Sequence, residues 1–355
     1  MDPLTRAPDR GRNVPPEFSE DDLALVHALQ VHPRASWAAL APVLGASAAT
    51  LARRWERLRG EGLAWVTSYP AAALSGGAVT ALVEVDCAAG ALDGVCSRLE
   101  ATPHVATIEH AARGRDLVLT VVAPSFARMS SIVLDELARL PGVVSTRTHI
   151  ASRVHVEGSR WRLDALDAAQ RTRVRALAAA EERPAALVDA ASAVYAPLVR
   201  ELARDGRAGA AALAARMGRP TSTVRRQLAA LVRSRSLTFR CDVAQVLTRW
   251  PVCVTWWCRV PGTAVDALVA QVRHEPRVRL CLSLTGPANL LVTAWTSSLA
   301  DLTRTQTWLE KAMPAGEIVD ASVILRTRKR MGWRLHPDGR ATGEVVPLVA
   351  SGDGP

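Results

Sequence analysis

Two short stretches of the chain hold the residues best suited to chemistry with a polyanion. The first carries Ser47, Ala48, Thr50, Arg53, Arg54 and Arg57; the second carries Thr221, Ser222, Thr223, Arg225, Arg226 and Gln227. Hydroxyls at the start of a helix lie beside backbone N–H groups that have no partner within the helix, which suits a phosphate and fixes register on a duplex. Long donors a turn further on reach phosphates or the base edges of a major groove. A single arginine on a helix is also an ordinary way of keeping one face solvated, so position and number matter more than any one residue. Between Arg200 and Arg240 about ten arginines are opposed only by Glu201 and Asp205, which predicts the stronger general phosphate attraction in the second stretch. The net charge of +10 over 355 residues points the same way, although nearly all of it is Arg, with Lys311 and Lys329 the two lysines. Double-stranded DNA is the expected partner.

Chemistry of other kinds finds little support. The eight histidines (His27, His32, His104, His110, His149, His155, His274, His336) fall in no metal-ligand spacing, and neither a G-x-S-x-G elbow nor a P-loop is present. The six cysteines (Cys87, Cys96, Cys241, Cys253, Cys258, Cys281) contain no CxxC pair and sit mostly in apolar runs, as small buried hydrophobes do. No enzyme, cofactor or metal is therefore expected. The opening MDPLTRAPDRGRNVPPEF lacks the apolar core of a signal peptide and no later run approaches a membrane span, which predicts a cytoplasmic protein.

The elements that would position the two basic stretches recur in order. Residues 1–17 are expected to be a disordered tail. In FSEDDLALVHALQ, Ser19 can cap a helix with acids in its first turn; Ser36 can cap a second helix, interrupted by Pro42; and Gly45 supplies the turn into SAATLARRWERLRGEGL, whose Leu51, Trp55 and Leu58 face inward. From Ala78 the runs read β-α-β-β-α-β, the order of a ferredoxin-like domain. After a charged helical linker the arrangement repeats: Gly45 corresponds to Gly218, Thr50 to Thr223, Leu58 to Leu231 and Gly114 to Gly286, at an offset of roughly 172 residues. The expected fold is α+β: helix-turn-helix domains at 18–70 and 193–245, ferredoxin-like domains at 77–156 and 250–330, a linker at 157–192 and a flexible tail at 336–355. Arg235 and Ser236 stand where the first copy has Gly62 and Leu63, so the second recognition helix is expected to end differently. Trp256 and Trp257 are successive strand residues and should point to opposite faces of their sheet.

The phrase LGASAATLARRWERLRGEGL, followed by a β-α-β-β-α-β domain whose central strands meet at ARGRD, resembles the Lrp/AsnC family of feast/famine regulators, over most of 18–155 and again over 193–330. The resemblance implies winged helix-turn-helix domains, sheet-to-sheet pairing of the ferredoxin-like domains, higher homo-oligomers and a small effector, usually an amino acid. The family's effector loop reads TG-x-x-D. Gly114 and Asp116 stand there in the first copy, and Thr285, Gly286 and Asn289 in the second, where neutral Asn289 replaces the acid. A fused chain would form the family's dimer internally, and its two unlike recognition helices would read unlike half-sites. The expectation is a sequence-specific transcription regulator. An architectural DNA-binding protein of low specificity is the main alternative, and a ferredoxin-like enzyme is a more remote one.

Overall fold

The computed structural model describes residues 18–71, 78–180 and 186–348; the expected N-terminal tail and the last seven residues lie outside these segments. Helix α1 (Glu20–Val31) opens with a capping box: Ser19 accepts from the Asp22 N–H, and the Asp22 carboxylate accepts from the Ser19 N–H. Helix α2 (Trp37–Leu44) is capped by Ser36, runs through Pro42 and stops at Gly45, whose φ of 65° is the left-handed value that ends a helix without a Cβ clash. Helix α3 (Ala48–Gly60), capped by Ser47, leads into strand β1 (Ala64–Pro70).

Next come β2 (Val79–Cys87), α4 (Leu92–Ala101), β3 (Val105–Ala111), β4 (Leu117–Ala123), α5 (Phe126–Ser131, continued by a π-helical turn over Ile132–Leu137) and β5 (Val143–Val156). The connector contains α6 (Ala168–Ala180). Then follow α7 (Ala196–Arg204), α8 (Ala210–Met217), α9 (Thr221–Arg233) and β6 (Leu237–Val243), and after them β7 (Val252–Arg259), α10 (Gly262–Val272), β8 (Val278–Leu284), β9 (Leu290–Thr296), α11 (Leu299–Ala312) and β10 (Glu317–Arg330). Gly218 ends α8 with a φ of 61°, as Gly45 ends α2.

Two sheets organise these elements. In the smaller, β1 lies antiparallel to β6 with Thr67 opposite Arg240. In the larger, of ten strands, eight run in the order β10-β3-β4-β2-β5-β8-β9-β7, and β7 pairs back to β10, so these eight close on themselves. The closure depends on two strands of 14 residues each: β5 pairs with β2 and then with β8, and β10 pairs with β7 and then with β3. Closure removes the unpaired edges that would otherwise template association.

Alternation along the strands sorts the faces. Ala81, Val83 and Val85 point outward beneath α4 and α5, while Leu82 points inward to meet Val118, Trp257, Leu282 and Leu291. Trp256 lies in the core covered by α10 and α11, and Trp257 lies inside the barrel.

The connector packs against the first helical unit. Trp161, Leu163, Leu166 and Val174 share the core of α1 to α3. The Leu163 N–H donates to Gln30 Oε1, and the Ala165 and Leu166 N–H groups both donate to His27 Nδ1, at 2.9 and 3.0 Å. Burial, and then the nearby Arg162 charge, push His27 down to about 4, so the ring is neutral and an acceptor.

Residues 336–348, expected to be flexible, instead form part of an ordered strap. Strand β11 (Trp333–Leu335) pairs with β12 (Ala341–Val345), Trp333 stacks on Trp65 with ring centroids 5.6 Å apart, and the Ala341 N–H donates to the Gly62 carbonyl. The composition of this stretch concealed a buried anchor, Leu348, which adds to Trp333 just ahead of it. Among the described residues no helix is long and apolar enough to cross a membrane.

Candidate nucleic-acid interface

In α3, Leu51, Trp55 and Leu58 are buried, which turns Ser47, Arg53 and Arg57 outward and leaves Ala48 and Thr50 half-buried at the first turn. Ser47 already accepts from the Thr50 N–H at 3.1 Å and lies 2.9 Å from its hydroxyl, so the cap is made within the helix. In α9, Val224, Leu228 and Leu231 are buried, while Thr221, Ser222, Arg225 and Arg226 are exposed and Thr223 is half-buried.

The arginines of the two helices differ in their surroundings. Arg54 donates to Asp21 at 2.8 Å and lies 3.5 Å from Asp22; Arg57 reaches Asp22 at 2.6 Å and Glu61 at 3.0 Å. Burial works against the Arg57 charge, but its bonds to Asp22 and Glu61 outweigh it and raise its pKa above the usual arginine value. Gln227, at the position in α9 equivalent to Arg54, donates to the Val194 carbonyl at 3.4 Å. Arg54 and Gln227, both expected at DNA, therefore serve to anchor α3 and α9 to the start of the preceding first helix. Arg53, Arg225 and Arg226 form no ion pair among the described residues. The α1 acids that neutralise Arg54 and Arg57 have Val194 and Tyr195 as counterparts, so among the described residues nothing similar holds Arg225 and Arg226. The acids were visible at the start of α1, but only the fold brings them to α3.

The two helical units also contact each other through residues that no motif marks. Arg34 donates to the carbonyls of Gly206 and Ala208; Arg207 donates to the carbonyls of Pro33, at 2.6 Å, and Ala35, at 2.8 Å. Arg34 lies over the Phe239 ring and Arg207 over Trp37, its Cζ 3.9 Å from the ring centroid. Each arginine thus binds the loop that carries the other, as in a two-fold symmetric interface. Burial pulls Arg207 down to about 10, which leaves it charged at neutral pH. The available signal was an arginine at matching places in the two helical units.

The expected effector residues are occupied within the protein. The Asp116 carboxylate accepts from the Cys87 N–H at 2.7 Å. Asn289 accepts from the Val260 N–H at 2.9 Å and donates to the Val260 carbonyl at 2.7 Å. Acid and amide thus do the same work, tying a hairpin to the end of the first strand of its domain. Thr285 accepts from the Ile150 N–H through its hydroxyl at 3.0 Å, and a Cβ on Gly286 would lie 3.1 Å from His149 Nδ1. Gly114, with a φ of 72°, is open to solvent and its carbonyl accepts from Arg147. Asp116 and Gly114 therefore lie at one hairpin, and Thr285, Gly286 and Asn289 at another.

Against this geometry, residues 19–59 match the AsnC-type helix-turn-helix domain and residues 80–161 match the Lrp/AsnC ligand-binding domain. The first half of the chain thus resembles, segment by segment, the two domains described by these family models. No curated protein matches the sequence. Two solved structures of the siroheme decarboxylase NirDL are similar over 88% of this chain and 93% of that one. The first has 15% identity and a TM-score of 0.53; the second, in complex with an iron-uroporphyrin III analogue, has 16% identity and a TM-score of 0.54. Escherichia coli AsnC is similar over 38% of this chain and 93% of its own, with 17% identity and a TM-score of 0.31.

The NirDL likeness corrects one expectation. An enzyme shares this Lrp/AsnC-like architecture across nearly the whole chain, so the absence of familiar catalytic spacings did not justify reading the chain as a non-enzyme. The fold hosts catalysis as well as DNA binding, and at this identity the likeness is one of fold alone.

Proposed function

We propose that this chain is a DNA-binding transcription regulator in which one polypeptide supplies both halves of an Lrp/AsnC-type dimer through a tandem duplication. The observation that carries the DNA-binding reading is the AsnC-type helix-turn-helix at 19–59, whose recognition helix keeps Ser47 and Arg53 on an outward face. The reciprocal Arg34 and Arg207 contacts, the antiparallel β1–β6 pair and the sheet closed by β5 and β10 support an internal dimer, because each is what two copies related by a two-fold axis would make. The two recognition helices differ in free charge, so the operator is asymmetric, and α9 contributes more of the affinity than α3. Ser47, Ala48, Thr50, Thr221, Ser222 and Thr223 set register on phosphate, and Arg53, Arg225 and Arg226 reach into the groove. An amino-acid effector at the hairpins of Gly114 and Gly286 would be met by backbone groups, because the side chains of Asp116 and Asn289 are already bonded to strand ends.

Selection of binding sites from a random duplex pool at fixed salt is the test. The reading expects an enriched motif with two unlike half-sites; an unenriched pool means an architectural protein, and a perfect palindrome contradicts the unequal heads. A second reading, as a tetrapyrrole-modifying enzyme, is favoured by the NirDL likeness over 88% of the chain. A shift of the Soret band of an iron uroporphyrin on binding, together with release of carbon dioxide from siroheme, would establish it.

A further inference from the structure

A cleft of ≈ 520 Å³ lies between the first helical unit, the connector and the second half of the barrel, away from both recognition helices and both hairpins. Its walls include Arg160, Arg162, Arg175, Arg273, His155 and His274. Two acids also line it, but each is committed: Asp164 to Arg171 at 2.7 Å, and Glu275 to Arg277 at 2.6 Å. None of Arg160, Arg162, Arg175 and Arg273 meets a carboxylate among the described residues. Arg162 is the most telling. Among the described residues its guanidinium donates only to the backbone carbonyls of Ser159, at 2.6 Å, and Trp161, at 2.8 Å, and burial followed by the Arg175 charge pulls its pKa down to about 10. At the cleft's edge, buried His155 donates or accepts at Ser283 Oγ through Nε2 at 2.7 Å and leaves Nδ1 without a partner.

Like charges facing one cleft, with the neighbouring acids spent elsewhere, focus a positive potential that attracts an anion, most strongly beside half-buried Arg162. The volume is that of a small-molecule site rather than a crevice for one ion. From these contacts we infer that the cleft binds a small organic polyanion, carrying two or more phosphate or carboxylate groups, between the connector and the β8 side of the barrel. Guanidinium groups suit both kinds of anion, since each presents oxygens to a planar fork of N–H donors. Because the connector also grips His27 and Gln30 of α1, an anion held there would tie the first helical unit to the barrel. The inference stands apart from the regulator reading, because its readout is binding of the anion itself.

The test is calorimetric titration of the full chain with inorganic tripolyphosphate and, separately, with citrate. Tight binding of one probe per chain is expected, and the better of the two identifies phosphate or carboxylate as the preferred group. Arg162→Gln should weaken binding about tenfold or more. The paired surface variant Arg175→Ser with Arg273→Ser, which leaves the core untouched, should do the same. Arg225→Ser with Arg226→Ser should leave binding unchanged. The inference is overturned if neither probe binds, if the cleft variants bind like the parent, or if the α9 variant loses as much. It is also overturned if the surface pair weakens duplex DNA binding without affecting either probe, which would make the cleft part of a DNA track.

Discussion

The two helical units share a backbone plan and differ in what surrounds it. In the first, α3 meets acids from α1, and α1 in turn is clasped by the connector through His27 and Gln30. In the second, Val194 and Tyr195 replace the acids, exposed Arg200 stands where the first unit has His27, and Arg225 takes the place of Ala52. The first unit is thus electrically quieter, and the second is more cationic. One fold can be tuned towards anchoring or towards attraction by residues at the start of its first helix, with no change to the recognition helix's buried face.

The junction that joins the units offers the strongest way to break this comparison. Arg207→Ala should cost about 4 kcal/mol, because it orphans the Pro33 and Ala35 carbonyls and strips a cation from Trp37, whereas Arg34→Ala should cost roughly half of that. Equal losses in urea unfolding would show that the reciprocal contacts are equivalent in strength as well as in place. Next in size is the double change Arg225→Ala with Arg226→Ala, expected to lower affinity for a selected duplex about 100-fold and to reduce the slope of log affinity against log salt by about 2. Arg53→Ala alone should cost only a few-fold. The reverse ranking in fluorescence anisotropy would make α3 the dominant reader.

Acid should reveal the clasp. His27 has its folded pKa depressed to about 4, below the ordinary histidine value of 6.5, so between these values the unfolded chain binds the extra proton. The His27 contribution is therefore complete above pH 6.5 and is lost as pH falls towards 4, by up to about 3 kcal/mol. His27→Gln should remove that part of the pH dependence, and parallel stability curves for parent and variant would refute it. The smallest effect expected is from Asp21→Asn, which frees Arg54 from its exposed partner and should raise DNA affinity two- to three-fold at low salt, within the range for surface ion pairs. A fall in affinity would mean that the acid positions Arg54 for contact.

The turn after each recognition helix carries the contrast into the backbone. Gly62 has a φ of 67°, and a Cβ there would lie 2.4 Å from the Ala341 carbonyl oxygen of the C-terminal strap. At the equivalent place Arg235 adopts a φ of 53°, a conformation that costs a non-glycine residue roughly 1–2 kcal/mol. The departure noted in the sequence thus leaves the turn in place: the second helix ends in the same left-handed conformation, at a cost in strain.

What the amino-acid sequence determined by itself was local. Serines 19, 36 and 47 before helical runs, glycines 45 and 218 in the turns, and two-residue alternation in the strands are interactions among near neighbours, so their spacing alone reports them. The roughly 172-residue offset, on which the proposed duplication rests, is likewise a comparison of patterns. Tertiary structure decided everything that depends on pairing distant segments. It brought Asp21 and Asp22 to Arg54 and Arg57, set Arg34 against Gly206, closed the sheet through β5 and β10, and folded the strap of β11 and β12 onto Gly62. An arginine's free charge is set by which acid lies within a few ångströms of it, and spacing along one helix carries no information about an acid delivered by another.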